Sequence, residues 1–242
     1  MGLRHLRTAD VGRMLSVSGY DWALIDLEHS SMSLDDAARL AVACEDSGVS
    51  PLVRVPEDQH HSATRLLDSG AMGVVFPHVD TPSQAARLAE ECLYPPAGHR
   101  SMGGSRSSQL GFLSYDRAEM ATRGNEATFL VMMIETPTGV ENAEAIARVS
   151  GVDALLIGAN DLTLEMGIAG QLGHDLLRAA CEAVVAACAA HGKHAGLGGV
   201  YELALVETYV RLGTRLVLAA GDTNLFLDGA SEKSGELRRL AI

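Results

Sequence analysis

Two acidic residues, Glu135 and Asp161, follow the strongest strand patterns of the chain. The segments 129–134 and 154–157 are apolar runs of strand length, and apolar residues between them keep helical spacing. A right-handed crossover makes such strands parallel, so both acids should leave the sheet at its carboxyl edge. Neighbouring carboxylates repel unless a cation lies between them, and Mg²⁺ prefers oxygen ligands. The spacing therefore indicates a divalent-metal site; the alternative is that each acid caps a following helix.

Polar residues also accompany other predicted strands. Asp26, Glu28 and His29 follow at the end of the pattern 22–27, Arg54 lies in the pattern 52–55, and Asp68 ends the next helix. Barrel enzymes take catalytic groups from several strand ends. Together these residues would supply a fixed cation, supporting carboxylates and an imidazole suited to proton transfer near neutral pH. The ordinary alternatives are an Asp26–Arg54 ion pair and helix capping by Asp68.

Strand and helix patterns alternate along almost the whole chain. The predicted strands are 2–6, 22–27, 52–55, 73–76, 129–134, 154–157, 195–197 and 215–219. Helical patterns follow them, one of them over 34–46 with Ser33 as N-cap and Gly48 as terminator. Eight repeats with uniformly apolar strands predict an α/β fold, a (β/α)₈ TIM barrel that forms one domain over 1–242. A doubly wound open sheet is the alternative, but no GxGxxG follows the first strand.

One long interval, between 76 and 129, interrupts these repeats. It contains the segment YPPAGHRSMGGSRSSQLGF with Arg100 and Arg106. Because long ordered loops on barrels often build the functional face, we expect this loop at the active site or an oligomer contact. The arginines would meet an anionic substrate there, or would be plain surface charges.

Composition excludes several classes of protein. The formal net charge is −12, and no cluster of Lys and Arg is present, which argues against nucleic acid and anionic membrane as partners. No apolar run approaches the ~18 residues that span a bilayer, and the start lacks a signal peptide's apolar core. We therefore expect a cytoplasmic protein. The four cysteines form no CxxC pair and should be buried, reduced thiols: Cys44, Cys92, Cys181 and Cys188.

Taken in order, several segments resemble the HpcH/HpaI family of metal-dependent pyruvate aldolases. They are DWALIDLEHS, PLVRVP, RLLDSGAMGVVFPHVDT, YPPAGHRS, MIETPTGVEN and IGANDLTLEMG, which together cover about 21–167. The resemblance implies a TIM barrel of the phosphoenolpyruvate/pyruvate-domain type. It also implies a divalent metal cofactor (Mg²⁺, Mn²⁺ or Co²⁺) and cleavage of 4-hydroxy-2-oxo acids to pyruvate and an aldehyde through a pyruvate enolate. The implied assembly is a homo-hexamer, a trimer of dimers, whose last helix is exchanged between subunits.

By position, the resemblance also implies a role for each site residue. Glu135 and Asp161 would bind the metal, and Arg54 would hold the 2-oxo oxygen. His29, oriented by Asp68, would be the acid/base group, and Asp26 would support the site. The substrate carboxylate would bind backbone amides at these residues: Ala159, Asn160 and Asp161.

Some alternatives stay open at this stage. Many relatives have Pro where Ala159 stands, which puts the carboxylate-binding turn in question. Oxaloacetate decarboxylation or acyl-CoA cleavage could use the same site. The alternative outside the enzymes is a non-catalytic barrel that only binds a ligand. A Schiff-base aldolase is disfavoured because neither lysine, Lys193 or Lys233, lies in a predicted strand at the rim.

Overall fold

Eight parallel strands form the centre of the protein, in the order of the sequence, in a computed structural model that describes residues 1–240. The strands are β1 (Gly2–Leu3), β2 (Trp22–Asp26), β3 (Ser50–Arg54), β4 (Gly73–Phe76), β5 (Phe129–Ile134), β6 (Ala154–Gly158), β7 (His194–Gly198) and β8 (Leu216–Leu218). The Gly2 N–H donates to the Ala220 carbonyl at 2.8 Å, and Gly2 forms a parallel bridge with Gly221. The sheet therefore returns to its first strand, which confirms the barrel and rules out the open doubly wound sheet.

Helices cover the outside of the sheet. They are α1 (Val11–Val17), α2 (Leu34–Glu45), α3 (Ala63–Asp68), α4 (Pro82–Cys92), α5 (Arg117–Glu126), α6 (Pro137–Glu141), α7 (Ala143–Ala147), α8 (Ala159–Glu165), α9 (Asp175–Ala190), α10 (Leu203–Leu212) and α11 (Asp222–Arg239). The helical pattern after β5 forms two short helices that meet at Asn142. The helix α8 was not predicted, because it starts directly after β6 without a turn signal.

Alternate residues of each strand point into the barrel, and this alternation decides which side chains reach its carboxyl end. The inward set forms an apolar cluster: Leu24, Leu52, Val75, Val131, Met133, Ala154 and Leu156. Residues of the other parity pack against the helices in a larger core. Because strand side chains alternate with a period of two, the next inward positions are Asp26, Arg54, Glu135 and Gly158. A polar layer thus lies directly above the apolar interior.

The long insertion lies at the amino-terminal end of the barrel, so the prediction of an active-site loop was wrong for this chain, whereas the alternative, an oligomer contact, stays a prediction. It joins α4 to β5, and connections from a helix to a strand lie opposite the active-site face. Arg100 is buried there, donates to Asp68 at 2.6 Å and stacks over the Tyr94 ring at 4.5 Å. Arg106 donates to the Phe112 carbonyl at 2.9 Å. Arg100 therefore ties the insertion to the end of α3, and Arg106 holds the insertion itself.

Local signals in the sequence agree with the structure elsewhere. Ser33 and Asp36 form the reciprocal hydrogen bonds of a capping box at the start of α2. All four cysteines are buried and free, as predicted. In the last helix the side chains of Leu225, Phe226 and Leu227 are exposed to solvent. Within residues 1–240, no helix combines the length and apolar character needed to cross a membrane.

Candidate active site

The carboxyl ends of the strands surround a cavity of about 440 Å³. Its wall is formed by strand ends, by the segment that follows β1 and by the start of α11. Seven of the eight site residues predicted from the sequence line it: Asp26, His29, Arg54, Glu135, Ala159, Asn160 and Asp161. The eighth, Asp68, lies elsewhere.

Arg54 and Asp26 form a buried ion pair in the cavity. Arg54 Nε and Nη2 donate to the two oxygens of Asp26 at 3.0 and 2.6 Å, and Nη1 lies 2.9 Å from Glu28 Oε2. Burial raises the pKa of Asp26, but hydrogen bonds from Arg54 and Arg4 outweigh burial and bring this pKa to about 2. Burial opposes the charge on Arg54, yet Asp26 and Glu28 raise its pKa overall. The result is a permanently charged guanidinium held in one orientation.

Glu135 has a buried carboxylate whose two oxygens meet different surroundings. Oε2 accepts a hydrogen bond from the His78 backbone N–H at 3.0 Å, and His78 Nδ1 lies 3.6 Å from the same oxygen. Oε1 faces Gly158, where an added Cβ atom would come within 2.5 Å of it. Burial raises the pKa of Glu135 to about 6; Asp161 adds to the rise, while His78 and Arg54 oppose it. A cation at Oε1 would relieve the cost of this buried charge.

The donor set fits a hard divalent ion with open coordination positions. Glu135 and Asp161 line one cavity, and the absence of a side chain at Gly158 leaves space beside Glu135 Oε1. Mg²⁺ commonly takes one or two carboxylates and fills its remaining positions with water and substrate. In the described part of the chain no three His, Cys, Asp or Glu side chains group into a metal site. The pair therefore suits an ion that also binds substrate, and does not suit a closed structural zinc site.

His29 lies just beyond β2, with half of its side chain exposed. Its backbone N–H donates to Asp26 Oδ1 at 3.2 Å, and its Nε2 lies 3.6 Å from Glu28 Oε2. The same Glu28 oxygen contacts Arg54, so one carboxylate lies between the imidazole and the guanidinium. The sequence placed Glu28 at this strand end but gave it no role in the site. Its position two residues after Asp26, on the inward parity, was the signal for a contact with Arg54.

The structure does not bring Asp68 to His29 within one chain. Asp68 ends α3, and this helix ends at the rim where the next strand begins, opposite the carboxyl ends of the strands. Its Oδ1 accepts a hydrogen bond from Arg100 at 2.6 Å, and its side chain is 43% exposed. Within one chain Asp68 and His29 therefore lie at opposite ends of the barrel, and the role of Asp68 as the partner of His29 stays a prediction that requires a second subunit.

Arg4 also lines the cavity, although the sequence reasoning did not include it. Its Nε donates to Asp26 Oδ2 at 2.7 Å. The register pairs Gly2 with Leu24, so Arg4 stands beside Asp26 with the same inward parity. The predicted first strand, 2–6, ran past Arg4 and so placed this residue inside the strand. The strand ends at Leu3, and Arg4 is the first residue of inward parity beyond it.

Comparison with known proteins agrees with this geometry. The sequence profile of the HpcH/HpaI aldolase/citrate lyase family matches residues 5–228. The chain is 40% identical to a 4-hydroxy-4-methyl-2-oxoglutarate aldolase of Hapsidospora irregularis, over 100% of this chain and 91% of that protein. It is 35% identical to a 4-hydroxy-2-oxovalerate aldolase of Novosphingobium aromaticivorans, over 92% and 84%. An HpcH/HpaI aldolase from Desulfitobacterium hafniense superposes with a TM-score of 0.92 at 28% identity, over 99% and 92%.

Proposed function

The chain belongs to the HpcH/HpaI aldolase/citrate lyase family of carbon–carbon lyases, and from this premise we propose that it is a divalent-metal-dependent pyruvate aldolase. It cleaves 4-hydroxy-2-oxo acids to pyruvate and an aldehyde or ketone, and catalyses the reverse addition. One observation carries the proposal: the buried Arg54–Asp26 pair shares a cavity with Glu135 and Asp161. A merely ligand-binding barrel has no need of this combination beside an exposed imidazole.

The residues of this site have separate tasks in holding the substrate. Glu135 and Asp161 would hold the divalent ion, which when bound acts as a Lewis acid toward the 2-oxo acid. Arg54 donates to the 2-oxo oxygen and stabilises the negative charge that develops there during cleavage. The backbone amides at 159–161 receive the substrate carboxylate. Ala159 is buried and leads directly from β6 into α8, so a Pro is not needed to start this turn.

His29 is the group that moves the proton. It removes the proton of the 4-hydroxyl, the C3–C4 bond breaks, and its electron pair passes into the enolate of pyruvate while the C4–O bond becomes a carbonyl. Protonation at C3 then gives pyruvate and balances the proton that His29 took up, so the imidazole returns to its neutral form. Glu28 Oε2 lies 3.6 Å from His29 Nε2, so a carboxylate stands beside the ring that moves the proton.

We further propose that the active form is a homo-oligomer, the hexamer that the resemblance implies. Asp68 can orient His29 only if another subunit supplies it, and its exposed side chain is accessible for such a contact. Mixing the His29→Ala and Asp68→Asn variants tests this directly. Activity regained on subunit exchange supports a shared site, whereas two variants that stay inactive together argue against it.

The central experiment is a panel of aldehydes and 2-oxo acids with pyruvate and Mg²⁺, Mn²⁺ or Co²⁺. We expect adduct formation, cleavage of the adduct in the reverse direction, and loss of both on chelation. Decarboxylation of oxaloacetate without any aldol reaction would contradict the proposal. The Glu135→Gln and Asp161→Asn variants should stay folded while losing metal binding by calorimetry.

A further inference from the structure

We propose that Arg4 binds a second carboxylate of the substrate, at the end remote from the 2-oxo group. The preferred substrates are then 4-hydroxy-2-oxo dicarboxylates rather than monocarboxylates. This inference rests on the proposed aldolase function, because it names the substrate class of the same site. Arg4 would thus determine which substrate is preferred, although the cleavage reaction itself does not require this residue.

In the part of the chain that the structure describes, the guanidinium group of Arg4 has N–H donors without a partner, whereas most N–H donors of Arg54 are already in contact with acceptors. All three nitrogens of Arg54 contact acceptors, namely Asp26, Glu28 and the Met133 sulfur. Arg4 uses only Nε, on Asp26, and within residues 1–240 no acceptor lies within hydrogen-bonding distance of its Nη1 or Nη2. A guanidinium edge with two parallel N–H donors matches a carboxylate in bidentate geometry.

The two arginines lie in order from the depth of the cavity to its mouth, as the two ends of a bound 2-oxo acid would. Arg4 Nε and Arg54 Nη2 donate to the same oxygen, Asp26 Oδ2, at 2.7 and 2.6 Å, so the guanidinium groups are neighbours. The Arg54 side chain is 5% exposed and the Arg4 side chain is 45% exposed. Arg54 therefore lies at the reacting end of the substrate, and Arg4 lies at the mouth, where the part beyond C4 must project.

Arg4 is held at this place by the closure of the barrel. The backbone N–H groups of Arg4, His5 and Leu6 all donate to Asp222 Oδ2, at 3.0, 2.7 and 2.8 Å. His5 Nδ1 lies 2.8 Å from Thr223 Oγ1. These contacts fix the segment after β1 onto the start of α11, so the cation is positioned before substrate arrives.

The nearby acids do not cancel the role of Arg4. Asp26 accepts two hydrogen bonds from Arg54 besides the one from Arg4, and Asp222 Oδ2 is occupied by three backbone amides. A substrate carboxylate at the mouth would be repelled by both acids if Arg4 were absent. The same cavity with a neutral residue at this position would therefore favour an uncharged end.

The test compares two substrates that differ only in one group. In 4-hydroxy-2-oxoglutarate a carboxylate replaces the terminal methyl of 4-hydroxy-2-oxovalerate. We expect the wild type to prefer the diacid in kcat/KM, and Arg4→Met to reduce the diacid-to-monoacid ratio about 10- to 100-fold, as the loss of a charged hydrogen bond predicts. Arg4→Lys should retain part of the preference. Arg7→Met is the matched control, since Arg7 lies in the same segment but bonds to Ser31 outside the cavity.

Inhibition constants provide a second measurement that does not require turnover of the ligand. We expect 2-oxoglutarate to inhibit the wild type more strongly than 2-oxovalerate, and Arg4→Met to remove this difference. If Arg4 only supports Asp26, its substitution will weaken both ligands and both substrates equally, and the inference is wrong while the aldolase function stands. A wild type that prefers the monoacid overturns the inference as well. A wild type that cleaves neither substrate contradicts the proposed function itself.

Discussion

Replacing Glu135 with glutamine in the metal-free protein tests whether its carboxylate is held at a cost to stability. Burial raises the pKa of Glu135 from its ordinary value of 4.5 to about 6. Each tenfold change in proton affinity is worth about 1.4 kcal/mol, so ionising this group costs the folded protein about 2 kcal/mol. The folded state holds the proton more tightly than the unfolded state. Stability is therefore lost as pH rises from 4.5 through 6, and the full cost applies above that range.

Glutamine has the same shape and its amide oxygen can accept the His78 hydrogen bond. We expect Glu135→Gln to exceed the wild type by about 2 kcal/mol in free energy of unfolding at pH 8, and by little at pH 4.5. The measurement is urea unfolding at fixed protein concentration, with a chelator present, across this pH range. Glu141→Gln removes an exposed carboxylate from α6 and should show no such step.

Two results would refute this reasoning. One is a Glu135→Gln variant that is no more stable than the wild type at pH 8. The other is a stability difference that does not change between pH 4.5 and pH 8, since a constant difference would come from packing rather than from ionisation. Adding Mn²⁺ at pH 8 should then stabilise the wild type and leave Glu135→Gln unaffected.

Three further substitutions separate the roles of the site residues. Gly158→Ala places a Cβ 2.5 Å from Glu135 Oε1 and should weaken metal binding, measured by calorimetry. The control, Gly198→Ala, has its nearest contact at 3.5 Å and should weaken metal binding far less. Equal losses of metal affinity in the two variants would refute the steric argument. His29→Ala should retain metal and pyruvate but lose about 10²–10⁴-fold in single-turnover cleavage, so a wild-type rate would exclude His29 as the base. Arg54→Lys keeps the charge but loses the planar guanidinium, so it should slow both cleavage and pyruvate C3 deuterium exchange. An unchanged exchange rate would show that Arg54 does not bind the enolate oxygen.

The sequence by itself determined the fold class and most of the strand ends. Apolar runs, helical spacing and the Ser33 cap are local patterns, and each is read over a few residues. Because side chains alternate along a strand, the same patterns also brought Asp26, Arg54 and Glu135 to one rim, and the strand order brought Asp161 there. The resemblance of six short segments added an activity and a role for each of these residues.

Only the tertiary structure decided which other groups join the site. Arg4 reaches Asp26 because β1 pairs with β2, and it stays there because Asp222, 218 residues later, accepts its backbone N–H. The structure also assigned Asp68 and Arg100 to the opposite end of the barrel, where they bind each other. Closure of the barrel depends on contacts between the two ends of the chain. No pattern within a short window carries that information, because the window holds only one of the two partners.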